Sequence, residues 1–265
     1  MRGHSAPLVE MRDVVFGYVE GKPVLHGVSF AVRPGEHVAL VGRTGAGKSS
    51  VLHLLGGLYA PWSGTVRVAG RDPRAMDADE RRQALGVVPQ VVQLFSGTVR
   101  ENLTLDAAGA GENSELDKAA LQRAVSIAGA DGIVRTLPQG YATPLAGGGR
   151  GAGVQLSAGQ RQLLALARAL VHDPAVLLLD EATAAVDGAS DAAFRAALRE
   201  GALARGRAVV TVAHRLATAR EADRVIVMDR GRIVEEGPPA ELVVAGGRFA
   251  ALVALEESGW AWQDQ

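Results

Sequence analysis

The residues of this chain best suited to chemistry fall into two groups. Lys48 and Ser49 close the run Gly42-Arg43-Thr44-Gly45-Ala46-Gly47-Lys48-Ser49, and Asp180 and Glu181 close the apolar run Ala175-Val176-Leu177-Leu178-Leu179. The glycines let successive backbone N–H groups turn onto an anion, and a helix starting near Lys48 adds unpaired donors and its positive dipole end. Lys48 can then reach the β- and γ-phosphates of a nucleotide, and the Ser49 hydroxyl can join the oxygen ligands of Mg²⁺. Two carboxylates at the exposed end of a buried strand repel unless a cation lies between them. Mg²⁺ on a bound nucleotide would supply that charge. A glycine turn that binds nothing, and ordinary surface acids, are the alternatives at this point.

The elements that must position these groups can be read from the pattern. Val38-Ala39-Leu40-Val41 is a buried strand running into the glycine turn, and Ser50-Val51-Leu52-His53-Leu54-Leu55 continues the helix after it. Ala175 to Leu179 and Ala208 to Ala213 are further buried strands, the second ending at His214. Leu8 to Tyr18, Val24 to Val32 and Thr65 to Ala69 read as strands, with Tyr18 placed to stack on a purine ring or simply to pack. Leu85 to Pro89 is a short strand ending at Gln90, and Asp77 to Ala84 a charged helix. From about 92 to 155 the pattern is helical without strand signals, which predicts a lobe beside the sheet. Gly147 to Gly153 closes it, and with no strand to aim these glycines they read as a linker. Ser157 is an N-cap residue for a helix through Leu170, a second anion-seeking helix start. Ala189 to Ala204 is predicted helical, Val225 to Met228 and Arg232 to Glu235 a closing strand pair, and Pro238 to Val244 and Arg248 to Glu256 two final helices. His4, His26, His37, His53 and His172 show no metal-ligand spacing and read as structural or surface residues.

At 265 residues, 48% hydrophobic and 22% charged, the chain has ordinary globular composition. A net charge of −1 provides no field to attract nucleic acid, so a nucleic-acid partner is not expected. Zero cysteines exclude disulfides, thiolate metal sites and cysteine catalysis. No apolar run reaches the roughly 20 residues of a membrane-spanning helix, and the first residues lack a signal-peptide core. A soluble, cytosolic chain is the expectation, with residues 1–7 and 258–265 as loose ends, the latter holding Trp260 and Trp262.

In order and spacing these motifs resemble the nucleotide-binding domain of ABC transporters over about Leu8 to Leu255. The resemblance rests on Gly42 to Ser49, Gln90 after a strand, the signature Leu156-Ser157-Ala158-Gly159-Gln160, Leu179-Asp180-Glu181 and His214. Phe95 to Leu103 and Ala213-His214-Arg215-Leu216 are similar to the exporter branch. It implies an α/β fold, a P-loop NTPase core of mostly parallel sheet with flanking helices, an N-terminal antiparallel β-subdomain and a helical lobe, all within residues 8–257.

The resemblance also implies ATP as substrate, Mg²⁺ as cofactor and ATP hydrolysis as the activity. Tyr18 would stack on adenine, and Gly42, Arg43, Thr44, Gly45, Ala46, Gly47, Lys48, Ser49 and Ser50 would hold the phosphates. Ser49, Gln90 and Asp180 would serve Mg²⁺, Glu181 would be the general base, and His214 would contact the γ-phosphate. Ser157, Gly159 and Gln160 would meet the γ-phosphate held by a second nucleotide-binding domain, with Asp187 crossing that interface, so that two domains close head to tail over two nucleotides. The implied partner is a transmembrane domain or subunit of an exporter, which would bring this chain to the cytoplasmic face of a membrane. A soluble ABC-type ATPase of DNA repair, chromosome structure or translation is the alternative. Three positions depart from the family pattern: Ala158 replaces the commonest glycine, Ala184 a serine, and Gly151 a glutamate that contacts the membrane subunit.

Overall fold

Val9, Met11, Val14 and Phe16 keep a period of two only if one residue is skipped, and the backbone does so. The computed structural model describes residues 6–105, 115–147, 153–180, 188–213 and 215–257. In β1 (Val9–Phe16) the register shifts between Met11 and Val14, where Asp13 takes φ 48° and its N–H donates to Ser29 Oγ. This bulge restores the inward direction of Val14 and Phe16. β1 is the middle strand of an antiparallel sheet with β2 (Leu25–Val32) and β4 (Ser63–Val68). The predicted Thr65 to Ala69 strand thus starts earlier and stops at Val68, because Ala69 and Gly70 turn with positive φ.

Among the described residues the larger sheet has six strands. They are β3 (His37–Val41), β5 (Leu85–Val88), β8 (Val176–Asp180), β9 (Ala208–Val212), β10 (Arg224–Asp229) and β11 (Arg232–Gly237), in the order β11-β10-β3-β9-β8-β5. All neighbours are parallel except β10 and β11, which are joined through Arg230 and Gly231 at φ 45° and 73°. Both faces are covered, so the strands read as continuous apolar runs. Leu178 and Val210 pack toward the antiparallel sheet and α1 (Lys48–Leu55), while Leu177, Leu179 and Val209 pack toward α6 (Ala158–Leu170) and α7 (Gly188–Ala196). A third cluster sets Ala39, Val41 and Val227 against α8 (Leu216–Arg220) and α10 (Arg248–Glu257), with α9 (Pro239–Val244) leading into α10. The architecture is the expected mostly parallel sheet with flanking helices and an antiparallel β-subdomain.

Two expectations are corrected. The stretch from 92 to 155 contains α3 (Val99–Thr104), α4 (Glu115–Ile127) and α5 (Asp131–Thr136), but also a ladder of β6 (Gly97–Thr98) and β7 (Pro144–Leu145). Strands of two residues are too short for alternation to register in sequence. Val154 extends this ladder by bonding Pro144 and Ala146, and residues 148–152 of the predicted linker lie outside the described residues. The helix predicted through Ala204 is α-helical only to Ala196, then widens into a π-helical turn (Ala197–Ala202) and a 3₁₀ turn (Leu203–Arg205). There the backbone crowds α4: a Cβ on Gly201 would lie 2.5 Å from the Ile127 carbonyl oxygen. α2 (Ala78–Ala84) starts at Asp77, whose carboxylate accepts from the Glu80 N–H in a capping box.

Candidate functional site

The glycine turn after β3 is shaped by backbone positions that exclude side chains. Gly42 has φ 147°, and a Cβ there would lie 2.1 Å from the Met228 carbonyl oxygen at the end of β10. Gly47 has φ 101° and sits against Leu25, whose Cδ2 a Cβ would meet at 2.6 Å. Gly47 is also the N-cap of α1, and no side chain caps this helix, so its first N–H groups face the turn. Lys48 is buried and folds back over the loop, its Nζ donating to the Gly42 and Arg43 carbonyls at 2.6 and 3.1 Å. Arg43, Thr44 and Gly45 form the exposed rim, Ala46 and Ser50 are buried, and Ser49 is exposed in the first helical turn.

Strand register brings the second group to the same edge. Val212 of β9 pairs with Leu40 on one side and with Asp180 on the other, so the carboxylate stands level with the strand that enters the glycine turn. Val88 pairs with Leu179, which places Gln90, exposed, just beyond the same carboxyl-terminal edge. Ligands of open parallel sheets bind at this edge. Burial raises the Asp180 pKa against the opposing charges of His53 and Lys48, and its Oδ1 is buried without a hydrogen-bond partner among the described residues. An orphaned carboxylate oxygen in that position suits a cation. Glu181, Ala184, Asp187 and His214 lie outside the described residues, as does Gly151.

The second helix start forms as the sequence predicts. Ser157 caps α6: its Oγ accepts from the Gln160 N–H at 3.1 Å, and Gln160 Oε1 accepts from the Ser157 N–H at 2.9 Å. This capping box engages two of the donors that the sequence reading offers to a phosphate. Gly159 has a packing reason as well, since a Cβ there would lie 2.1 Å from Ser190 Oγ on α7.

At the far end of α6, Arg168 reaches the segment that follows Gln90. Its Nε donates to the Asn102 carbonyl at 2.7 Å and its Nη1 to the Gln93 carbonyl at 3.2 Å, with the guanidinium 5.7 Å from the Phe95 ring centroid. Asn102 in turn brackets Phe95, accepting from its N–H and donating to its carbonyl. Burial lowers the Arg168 pKa. The clip presents Val91 and Phe95, exposed by 70% and 55%, on the outer surface.

Tyr18 stands beside α1, half-exposed, with its hydroxyl 3.0 Å from Ser50 Oγ and 2.9 Å from His53 Nδ1. His53, expected from the sequence to be structural or at the surface, here makes a structural contact with Tyr18. The available signal was its spacing, one helical turn after Ser50.

A family model described as ABC transporter matches residues 25–184, more than half of the chain. The chain belongs to the ABC transporter family. As an ABC ATP-binding domain it binds and hydrolyses ATP. The mycobactin import ATP-binding/permease protein IrtB of Mycolicibacterium thermoresistibile is 42% identical over 98% of this chain and 43% of its own length. The probable multidrug resistance ABC transporter ATP-binding/permease protein YheH of Bacillus subtilis strain 168 is 40% identical over 94% of this chain and 35% of its own. A solved structure of a bacterial Atm1-family ABC exporter with ATP bound superposes with a TM-score of 0.79 at 36% identity, over 94% of this chain and 42% of that one. This ABC transporter chain therefore spans less than half the length of these relatives. The relatives named are ATP-binding/permease proteins and an ABC exporter, not the soluble ATPases that formed the alternative. No helix among the described residues is long and apolar enough to cross a membrane.

Proposed function

We propose that this chain is the motor of an ABC exporter, closing head to tail with a second nucleotide-binding domain over two Mg-ATP and driving transport through a transmembrane partner. The observation that carries the reading is the register Leu40–Val212–Asp180, with the phosphate loop on one side and the orphaned Asp180 oxygen on the other. Lys48 Nζ would exchange the Gly42 and Arg43 carbonyls for β- and γ-phosphate oxygens, and the loop amides would hold the rest. Ser49, Gln90 and Asp180 would hold Mg²⁺, which when bound neutralises charge on the phosphates. Glu181 would accept a proton from the attacking water, and His214 would contact the γ-phosphate and orient that water. Ser157, Gly159 and Gln160 would complete the partner's site, with Asp187 at the interface, and Tyr18 would stack on adenine.

The Atm1-family likeness and the stretch Phe95 to Leu103 support the outward direction, although IrtB carries import in its name. The exposed Val91 and Phe95 on the Arg168 clip offer an apolar face to the membrane partner, and a site that uses ATP belongs on the cytoplasmic side. Replacing Glu181 with Gln is expected to reduce turnover by about 10² or more while ATP binding survives, as for the loss of a general base. Near-normal turnover in that variant would remove Glu181 from this role.

A further inference from the structure

Three side chains of different elements meet at the outer flank of α1. Tyr18 follows β1, Tyr59 follows α1, and His53 lies on α1 itself, one turn after Ser50. The Tyr18 ring stands nearly perpendicular to Phe16, Tyr59 and His53, with centroids at 4.9, 5.2 and 6.2 Å and interplanar angles of 79°, 87° and 77°. The His53 and Tyr59 rings are 5.9 Å apart. None of these neighbours lies parallel to Tyr18, and Phe16 at its base is buried. Among the described residues these ring contacts are near-perpendicular, and the half-exposed Tyr18 ring takes part in no parallel stack.

The hydroxyl adds to these contacts. The Tyr18 oxygen lies 3.0 Å from Ser50 Oγ and 2.9 Å from His53 Nδ1, so two hydrogen bonds, in either donor order, link α1 to the ring. The helix whose start would hold the phosphates thus also fixes the ring that would hold the base. Base and triphosphate are joined in one ligand, so pre-setting their separation reduces the ordering cost of binding.

We infer that His53 is a positioning residue for the nucleobase: through the Tyr18 hydroxyl it sets the stacking ring at a fixed distance from the phosphate loop. The inference rests on the proposed stacking of Tyr18 on adenine and adds the group that orients it. Its hydrogen bond lies at the base end of the ligand, and only its longer-range charge bears on Asp180 at the phosphate end.

The test is calorimetric titration of the whole chain with ATP and, separately, with inorganic tripolyphosphate, which has phosphates and no base. His53→Ala is expected to weaken ATP about three- to tenfold, the worth of one hydrogen bond, and to weaken tripolyphosphate clearly less. Tyr18→Phe should show the same selective loss, the double variant should lose no more than either alone, and His53→Asn, whose amide can still meet the hydroxyl, should recover part of the affinity. An equal loss for tripolyphosphate would make His53 a structural residue of α1 and overturn the inference, as would additive losses or unchanged ATP affinity in His53→Ala. Tyr18→Ala separates the two levels. If it leaves ATP affinity intact, the stacking reading itself fails; if it weakens ATP while His53→Ala does not, only the role of His53 fails.

Discussion

His37 shows how one residue beneath the site ties the fold to pH. It opens β3, the strand that feeds the phosphate loop, and is buried with Nε2 2.9 Å from Thr211 Oγ1 on β9. Its backbone N–H donates to Asp223 Oδ2. Burial lowers the imidazole pKa to about 4, outweighing the opposing Asp223 charge. The folded chain therefore keeps His37 neutral where the unfolded chain, with a pKa near 6.5, takes up a proton. Above pH 6.5 the two states bind protons alike and the full stability is present. As pH falls from 6.5 toward 4 the unfolded state gains, by about 3 kcal/mol in all from this one group. Urea unfolding at pH 7 and pH 5 should show a steeper loss for the natural chain than for His37→Gln. Parallel losses in the two proteins would contradict the assignment. Such a residue is hard to read in sequence, where His37 is simply one of five histidines without metal spacing.

At the scale of elements, α6 connects the two ends of the site. Its N-terminus carries the Ser157–Gln160 capping box and its last turn carries Arg168, bonded to the segment after Gln90. Among other neighbours it packs against α7, and Gly159 is one close point of that contact. Alanine at 159 would gain helix propensity, but its Cβ would meet Ser190 Cβ at 2.4 Å, and an overpacked contact of this kind costs about 1–3 kcal/mol. Gly159→Ala should lower the denaturant midpoint, and Ser190→Gly added to it should restore much of the loss. A midpoint unchanged by Gly159→Ala would show that the α6–α7 contact yields freely. The cap, the glycine turn and the buried strands were legible because each depends on local chemistry or continuous apolar runs. The β6–β7 ladder, the π-helical turn before Leu203 and the Tyr18–His53 bond were not, because each depends on residues brought together only by the tertiary fold. The Asp13 bulge lies between: its trace was the broken alternation of Val9, Met11, Val14 and Phe16.

For the whole molecule, the one-sided layout matters most. The phosphate loop, Asp180 and Gln90 gather at one edge of the six-stranded sheet, and the proposed function gives the capped start of α6 a second phosphate to meet. In the proposed function a chain that holds its phosphates at Gly42 to Ser49 would have a second set to offer elsewhere, the basis for two chains sharing two nucleotides. Hydrolysis should then require association. The most direct test is the ATPase rate of the purified chain across protein concentration, with Glu181→Gln run beside it on a sizing column with ATP. A shared site should give a specific activity that rises with concentration and a variant trapped by ATP as a dimer. A specific activity that stays constant from dilute to concentrated protein, with the variant monomeric in ATP, would contradict a site shared between two chains.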